Sequence, residues 1–391
     1  MKKIIGALVY FILVTTFSCT KFKDPVIGKY TLEVTELKNV TTGQLEIVGE
    51  PDDYFGRITF NANRPRVYEI GLSHKSEDSL HFRLPGNNGF LSLKKQDSLW
   101  KGNFKYFGIK AALKAKKIGD PSSELQDLVN LKPLGKGIIS TEKEESFPSF
   151  DSKNKILYFT RDQKLWSSKF NNNQWQVPEQ LSFSQNDNDI APYVYNNGNS
   201  LIFSSNRLLD SSFNKKNIWK VNNSNGIWDT PSALPYPINI DSIGDYHPSI
   251  AKNGSIYFIS YNRKDGYGRS DIYKAVESNS GMYEVENLGS MINSELSEAD
   301  VYVDPNEDYI LFASTGREDS YGADDIYISF NRDSGWSTPK NLGSKVNSYA
   351  YEYGAWVDVE NSFLYFNSFR RGTSDIYRIP LSEIDAFNSG K

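Results

Sequence analysis

Two kinds of charged residue recur at matched places in this 391-residue chain. Acids stand at Glu145, Asp189, Asp245, Glu298 and Glu352, each three positions ahead of Pro148, Pro192, Pro248, Val301 or Ala355. Arginines follow at Arg161, Arg207, Arg263, Arg317 and Arg370 or Arg371. Carboxylates gathered around one opening focus negative potential and could hold a cation or a polar ligand. Acids matched one for one by arginines have a second use, as charge-assisted pairs between neighbouring units. The matched count favours the pairs.

Other chemistry is sparse. His74, His81 and His247 are the three histidines, and only His247, in Asp245-Tyr246-His247-Pro248, lies among the recurring units. A lone histidine is more often an ordinary polar side chain than a base. The chain has no Gly-x-Ser-x-Gly elbow and no His-rich metal motif. Acids cluster in Asn186-Asp187-Asn188-Asp189 and in Asp319…Asp324-Asp325, without the spacing of a calcium loop. Asp271, Asp325 and Asp375 each precede Ile-Tyr, where a carboxylate can accept N–H bonds of its own loop. These motifs call for no cofactor, no metal and no catalytic residue.

The elements that must position these residues repeat. Phenylalanines at 159, 203, 258, 312 and 366 anchor five copies, in steps of 44, 55, 54 and 54. Each copy reads as short aromatic and β-branched strands between Gly, Asn, Asp and Pro turns. Three or four strands per copy at this period predict the blades of a β-propeller. The innermost strands line its channel, so the five acids are expected around one mouth. Leu134-Gly135-Lys136-Gly137-Ile138 copies Leu288-Gly289-Ser290-Met291-Ile292, the tail of a blade, yet stands before the first repeat. The last repeat lacks that tail. The N-terminal segment is therefore expected to supply the outer strand of the final blade and close a five-bladed ring.

The pattern Phe-x-Ser-x-Arg, Asp-Ile-Tyr, Trp-x-x-Pro-x-Asn-Leu-Gly resembles the WD40-like propeller repeat of the TolB type. It is fullest through Ser314, Arg317, Asp325-Ile326-Tyr327, Trp336, Pro339 and Asn341-Leu342-Gly343. The resemblance implies a propeller over residues 131–391, with six blades as the alternative to five because TolB-like rings usually have six. It says little of function, since propellers host unrelated activities.

The rest of the chain reads differently. Residues 1–19 have the form of a lipoprotein signal peptide: Lys2-Lys3, an apolar run, and Cys19, the only cysteine. The resemblance to that signal implies lipidation at Cys19 and export to the bacterial cell envelope, with the outer membrane as expected location. Residues 20–27 form a tether. Residues 28–117 carry seven candidate strands and none of the propeller motif, predicting a small β-barrel or β-sandwich, loosely lipocalin-like. Residues 118–130 are a linker, with one helical turn expected after Ser122. Net charge is −4 and no basic run appears, so nucleic acid is not an expected partner.

The fold class is thus all-β, and the expected role is binding of an envelope protein or glycan on the funnel face. Tyr246, Tyr349, Tyr351, Tyr353 and Trp356 offer rigid aromatic contact area there. With His247 and the five acids, Tyr246, Tyr351 and Trp356 make up the candidate ligand-binding set. The alternative is a carbohydrate-active hydrolase, a class known among five-bladed propellers, with Glu298 and Glu352 as funnel acids. Acids present in every unit argue against it, because catalytic residues break the symmetry of a repeat.

Overall fold

The computed structural model describes residues 24–207, 215–240 and 243–389. Cys19 and the signal segment lie outside them. Two all-β units follow one another in the chain: an eight-stranded barrel and a five-bladed propeller.

The barrel strands are Gly28–Thr35, Thr42–Glu50, Asp53–Phe60, Arg66–Lys75, Ser79–Arg83, Gly89–Gln96, Leu99–Tyr106 and Ile109–Gly119. Each pairs with the next, and the first pairs with the last, so no edge is left open. Seven strands were expected. The additional one is Thr42–Glu50, whose alternation is confined to Leu45 and Ile47, flanked by Gly43 and Gly49. Inward positions fill the interior: Phe60, Phe82 and Phe104 are buried, and Phe60 meets Phe104 edge to face at 4.9 Å. The helical turn Ser123–Asp127 presses Leu125 against Val48 and Phe55 of the barrel. Ser122 stands at its N-cap, but its hydroxyl accepts no helix N–H and donates to Glu46.

The five propeller sheets begin with innermost strands Glu145–Asp151, Asp189–Tyr195, Asp245–Ile250, Glu298–Val303 and Glu352–Asp358. Every innermost strand carries a bulge two residues after its acid. The residues there, Phe147, Ala191, His247, Asp300 and Gly354, all have positive φ, between 47° and 59°. Several of these bulges are held from the preceding blade. Phe147 N–H donates to Asn367 Oδ1, Ala191 N–H to Thr160 Oγ1 and His247 N–H to Ser204 Oγ.

The ring closes as a single shared blade. The last sheet has three strands, Glu352–Asp358, Phe363–Ser368 and Asp375–Pro380. Leu134 N–H donates to Ile376 O at 2.7 Å, as Leu342 does to Ile326 and Leu288 to Ile272 in complete blades. The closing segment is not a full outer strand: Leu134 makes the equivalent bond, but no strand precedes it as Tyr283–Asn287 precedes Leu288 and Lys340–Asn341 precedes Leu342.

The barrel sits against this closing blade. A Cβ on Gly71 would lie 1.6 Å from the carbonyl oxygen of Arg371, so the two backbones touch. Arg371 Nη1 meets Asp53 Oδ2 at 2.6 Å, and its guanidinium lies 4.0 Å over Phe55. Arg57 stacks 4.4 Å over Tyr349.

Candidate functional site: the two mouths of the propeller channel

The five recurring acids are fully buried, and each touches the arginine of its own repeat. The contacts are Arg161–Glu145 at 2.7 Å, Arg207–Asp189 at 2.7 Å and Arg263–Asp245 at 3.0 Å. Arg317–Glu298 follows at 2.9 Å and Arg370–Glu352 at 3.7 Å. Of the two candidates in the last repeat, Arg370 is therefore the partner, while Arg371 faces the barrel. The pairs lie within blades, not between them, because each arginine ends, or follows by two residues, the strand that pairs with its acid's strand.

What they join across blades is the connecting segment. Each arginine also donates to a carbonyl just before its innermost strand: Ile138 and Ile139, Phe183, Pro237 and Ile238, Ile292, or Val346. The acids hold the same segments. Glu298 accepts from Ser294 N–H and Oγ–H, and Glu352 accepts from the same two groups of Ser348. Burial raises all five carboxyls above their ordinary range, against the pull of the arginines and hydroxyls. Glu352 is pushed up to about 7. Such a value would suit a general acid, but this carboxyl has no exposed surface and already accepts from Ser348 and Ser368.

Channel chemistry lies two residues further on, at the bulges. The bulge positions break the symmetry of the repeat: two bear a titratable side chain, His247 and Asp300. His247 Nδ1 contacts Asp300 Oδ1 of the next blade. Asp300 was not among the sequence candidates. Aligning the repeats two positions past the acid reads Phe, Ala, His, Asp, Gly, and that irregularity was the available signal.

Around this pair runs a continuous arc of rings at the acid end. Tyr351 meets Phe369 at 5.9 Å, Phe369 stacks on Tyr353 at 6.1 Å, and Tyr353 meets Phe147 at 5.3 Å. Phe147 lies 4.7 Å from His247, His247 5.9 Å from Tyr246, and Tyr246 5.1 Å from Tyr261. Tyr351 is exposed, and Phe147, Tyr246, His247 and Tyr353 are half-buried. Tyr246, His247 and Tyr351 thus share one face. Tyr349 faces the barrel through Arg57.

Trp356 is elsewhere. It lies four residues past its acid, deep in the channel, against Tyr193 at 4.5 Å and Tyr302 at 5.5 Å. These three rings divide the channel. Above them is a narrow space of about 40 Å³ under the bulges. Below them a cavity of about 660 Å³ opens at the opposite mouth.

Asp271 accepts from Tyr267 and Gly268 N–H, and Asp325 from Tyr321 and Gly322 N–H, so both brace their own loops. Among the described residues no group of three His, Cys, Asp or Glu is placed to hold a metal ion. No described helix is long and apolar enough to cross a membrane.

No protein-family model matches the chain, and no curated protein matches it. Solved structures do. A TolB of Agrobacterium tumefaciens is 16% identical, over 59% of this chain and 72% of that one, with a TM-score of 0.41. An endo-arabinase of Bacteroides thetaiotaomicron is 14% identical, over 62% and 96%, with a TM-score of 0.44. A puromycin-hydrolysing peptidase of Mycobacterium tuberculosis is 10% identical, over 83% and 57%, with a TM-score of 0.36. The chain is a β-propeller protein similar at low identity to both TolB-like and arabinanase propellers.

Proposed function

We propose that this protein is an exported binding module, anchored to the bacterial envelope through lipid on Cys19, that docks an envelope protein or glycan on the acid-end mouth of a TolB-type propeller. One observation carries the reading. The recurring acids hold the ring together, while the exposed chemistry of that mouth is the aromatic arc from Tyr351 to Tyr261, centred on His247 and Asp300. Tyrosines with one wet end suit recognition, because they bury large rigid area and keep a hydrogen-bonding tip. The hydrolase reading would draw on Glu298 and Glu352, and both are engaged by hydroxyls and arginines.

The test is affinity capture with the chain from residue 20 onward, immobilised and exposed to detergent-solubilised envelope and to envelope glycan of its own organism. A species retained by the native protein and lost with Tyr246→Ala and Tyr351→Ala is the expected result. Retention of the same species by both variants, or of nothing by the native protein, overturns it. The anchor has a separate readout: Cys19→Ser should move the full-length protein from the membrane fraction to the soluble one.

A further inference from the structure

The barrel carries its positive charge on one side. Residues 28–119 hold 15 lysines and arginines against 10 acids, in a chain whose net charge is −4. Strands Gly89–Gln96, Leu99–Tyr106 and Ile109–Gly119 bring Lys94, Lys101, Lys105, Lys110, Lys114 and Lys116 to the outer face, with no acid among their outward positions. The lysines alternate with buried residues such as Leu93, Phe104 and Leu113, so no basic run shows in the sequence. Register sets them side by side: Lys94 is opposite Lys101, Lys101 opposite Lys114, and Lys105 opposite Lys110. Like charges directly opposed cost stability. At the margins Glu33 meets Lys114 and Asp78 meets Lys94. Lys101, Lys105, Lys110 and Lys116 have no ion pair among the described residues. In a closed barrel of eight, strands four apart lie opposite each other. This face therefore points away from Asp53, Arg57 and Gly71, where the propeller is seated.

We infer that this face docks on the anionic headgroups of a phospholipid bilayer, with the propeller held on the far side. The start of the chain selects a membrane over a dissolved polyanion. Lys117 Nζ donates to the Pro25 carbonyl at 3.1 Å, and Val26 is buried in the barrel core. Residues 24–27 are thus pinned at the end of the lysine-bearing strand Ile109–Gly119. Cys19 stands five residues before Asp24, a reach of at most about 18 Å. Lipid on Cys19 holds that end of the strand within this distance of the bilayer. Two exposed phenylalanines border the face: Phe90, opposite Lys105, and Phe107, in the turn after Tyr106. Lysines beside exposed apolar rings are the composition of an interfacial membrane contact. Anionic headgroups attract each lysine and offset the repulsion among them. The inference rests on the proposed anchor at Cys19, and it gives the barrel a role separate from the aromatic arc.

Co-sedimentation with vesicles tests it, using the chain from residue 20 onward, which carries no lipid. Vesicles of phosphatidylcholine mixed with phosphatidylglycerol should retain the protein at low ionic strength, and phosphatidylcholine alone should not. Retention should weaken as salt rises. Lys101→Gln with Lys110→Gln should weaken it about 25-fold, roughly five-fold for each lysine. Both side chains are exposed, so the barrel keeps its fold. Lys220→Gln with Lys252→Gln, on the propeller, should leave retention unchanged, as should Tyr246→Ala. The inference is overturned if anionic vesicles do not retain the native chain, if neutral vesicles retain it equally, or if both lysine pairs weaken retention alike. A DNA duplex of equal total charge that strips the protein from the vesicles would also overturn it, assigning the face to nucleic acid. Failure in this assay leaves the Cys19 anchor standing, because the chain used lacks it. The anchor is read instead from Cys19→Ser under a high-salt wash, which removes a contact made by charge.

Discussion

Arg317 lies 5.3 Å above the ring of Phe312. Its guanidinium also reaches Glu298 and the carbonyl of Ile292, so one side chain joins two strands and the connector from the preceding blade. The stack recurs at 5.2, 5.3, 5.1 and 5.4 Å for Arg161 on Phe159, Arg207 on Phe203, Arg263 on Phe258 and Arg370 on Phe366. The phenylalanines that mark the repeat are the platforms of its arginines.

Replacing Arg317 should therefore act on stability. Arg317→Met leaves Glu298 buried without its cation and should cost about 3–5 kcal/mol. Arg317→Lys keeps the charge but loses the fork geometry, and about 1–2 kcal/mol is expected. Denaturant unfolding of both variants gives the comparison; equal losses would refute a role for the fork.

Asp375 gives a pH prediction. Burial raises its carboxyl from 3.8 to about 7. The unfolded chain loses this proton near pH 4 and the folded chain only near 7, so between them the folded form holds more protons. The contribution is fully present below about pH 4 and falls as pH rises, by at most about 1.4 kcal/mol per unit. Glu352 acts in the same direction. Melting temperature should fall from pH 5 to pH 8, and Asp375→Asn should flatten that fall. An unchanged slope in the variant would rule out Asp375 as its source.

Gly71→Ala tests the seat of the barrel. The added methyl meets the Arg371 backbone, which cannot move aside as a flexible side chain would. The two units should separate, seen as faster proteolysis within 118–133 and as two unfolding steps where one is expected of the native protein. Unchanged cleavage would mean the contact is dispensable.

Ser249→Ala tests the tie between the third and fourth blades. It leaves the buried Val303 N–H without its acceptor and should cost about 1–3 kcal/mol. A loss under half of that would show that the amide finds another partner.

The ring was legible because its packing is written in period: the five phenylalanines, the arginines after them and the acids before them each recur. The closing role of Leu134 was legible for the same reason. Symmetry-breaking features were harder to see. Phe147, Ala191, His247, Asp300 and Gly354 share a left-handed backbone although only one is glycine, so no residue type announced the bulge. Trp356 looked like a loop aromatic because it stands near Tyr351 and Tyr353. Extended chain carries it about 3.3 Å per residue, away from that face. The strand Thr42–Glu50 was hidden by its glycines, and Gly56 of the next strand approaches its backbone at Glu46 so closely that a Cβ would lie 1.9 Å from that carbonyl oxygen.

The shared closing blade sets a condition on the order in which the molecule can be completed. Phe147 bonds to a residue 220 positions on, and Asp53 to one 318 positions on. Neither the ring nor the seat of the barrel can exist until the last tenth of the chain is present. Such distant contacts come late, because the loop they close must first be gathered. The barrel, first to emerge, thereby becomes a gauge of whether the far end has arrived: a chain cut short before Arg371 would carry a folded barrel with nothing to rest on.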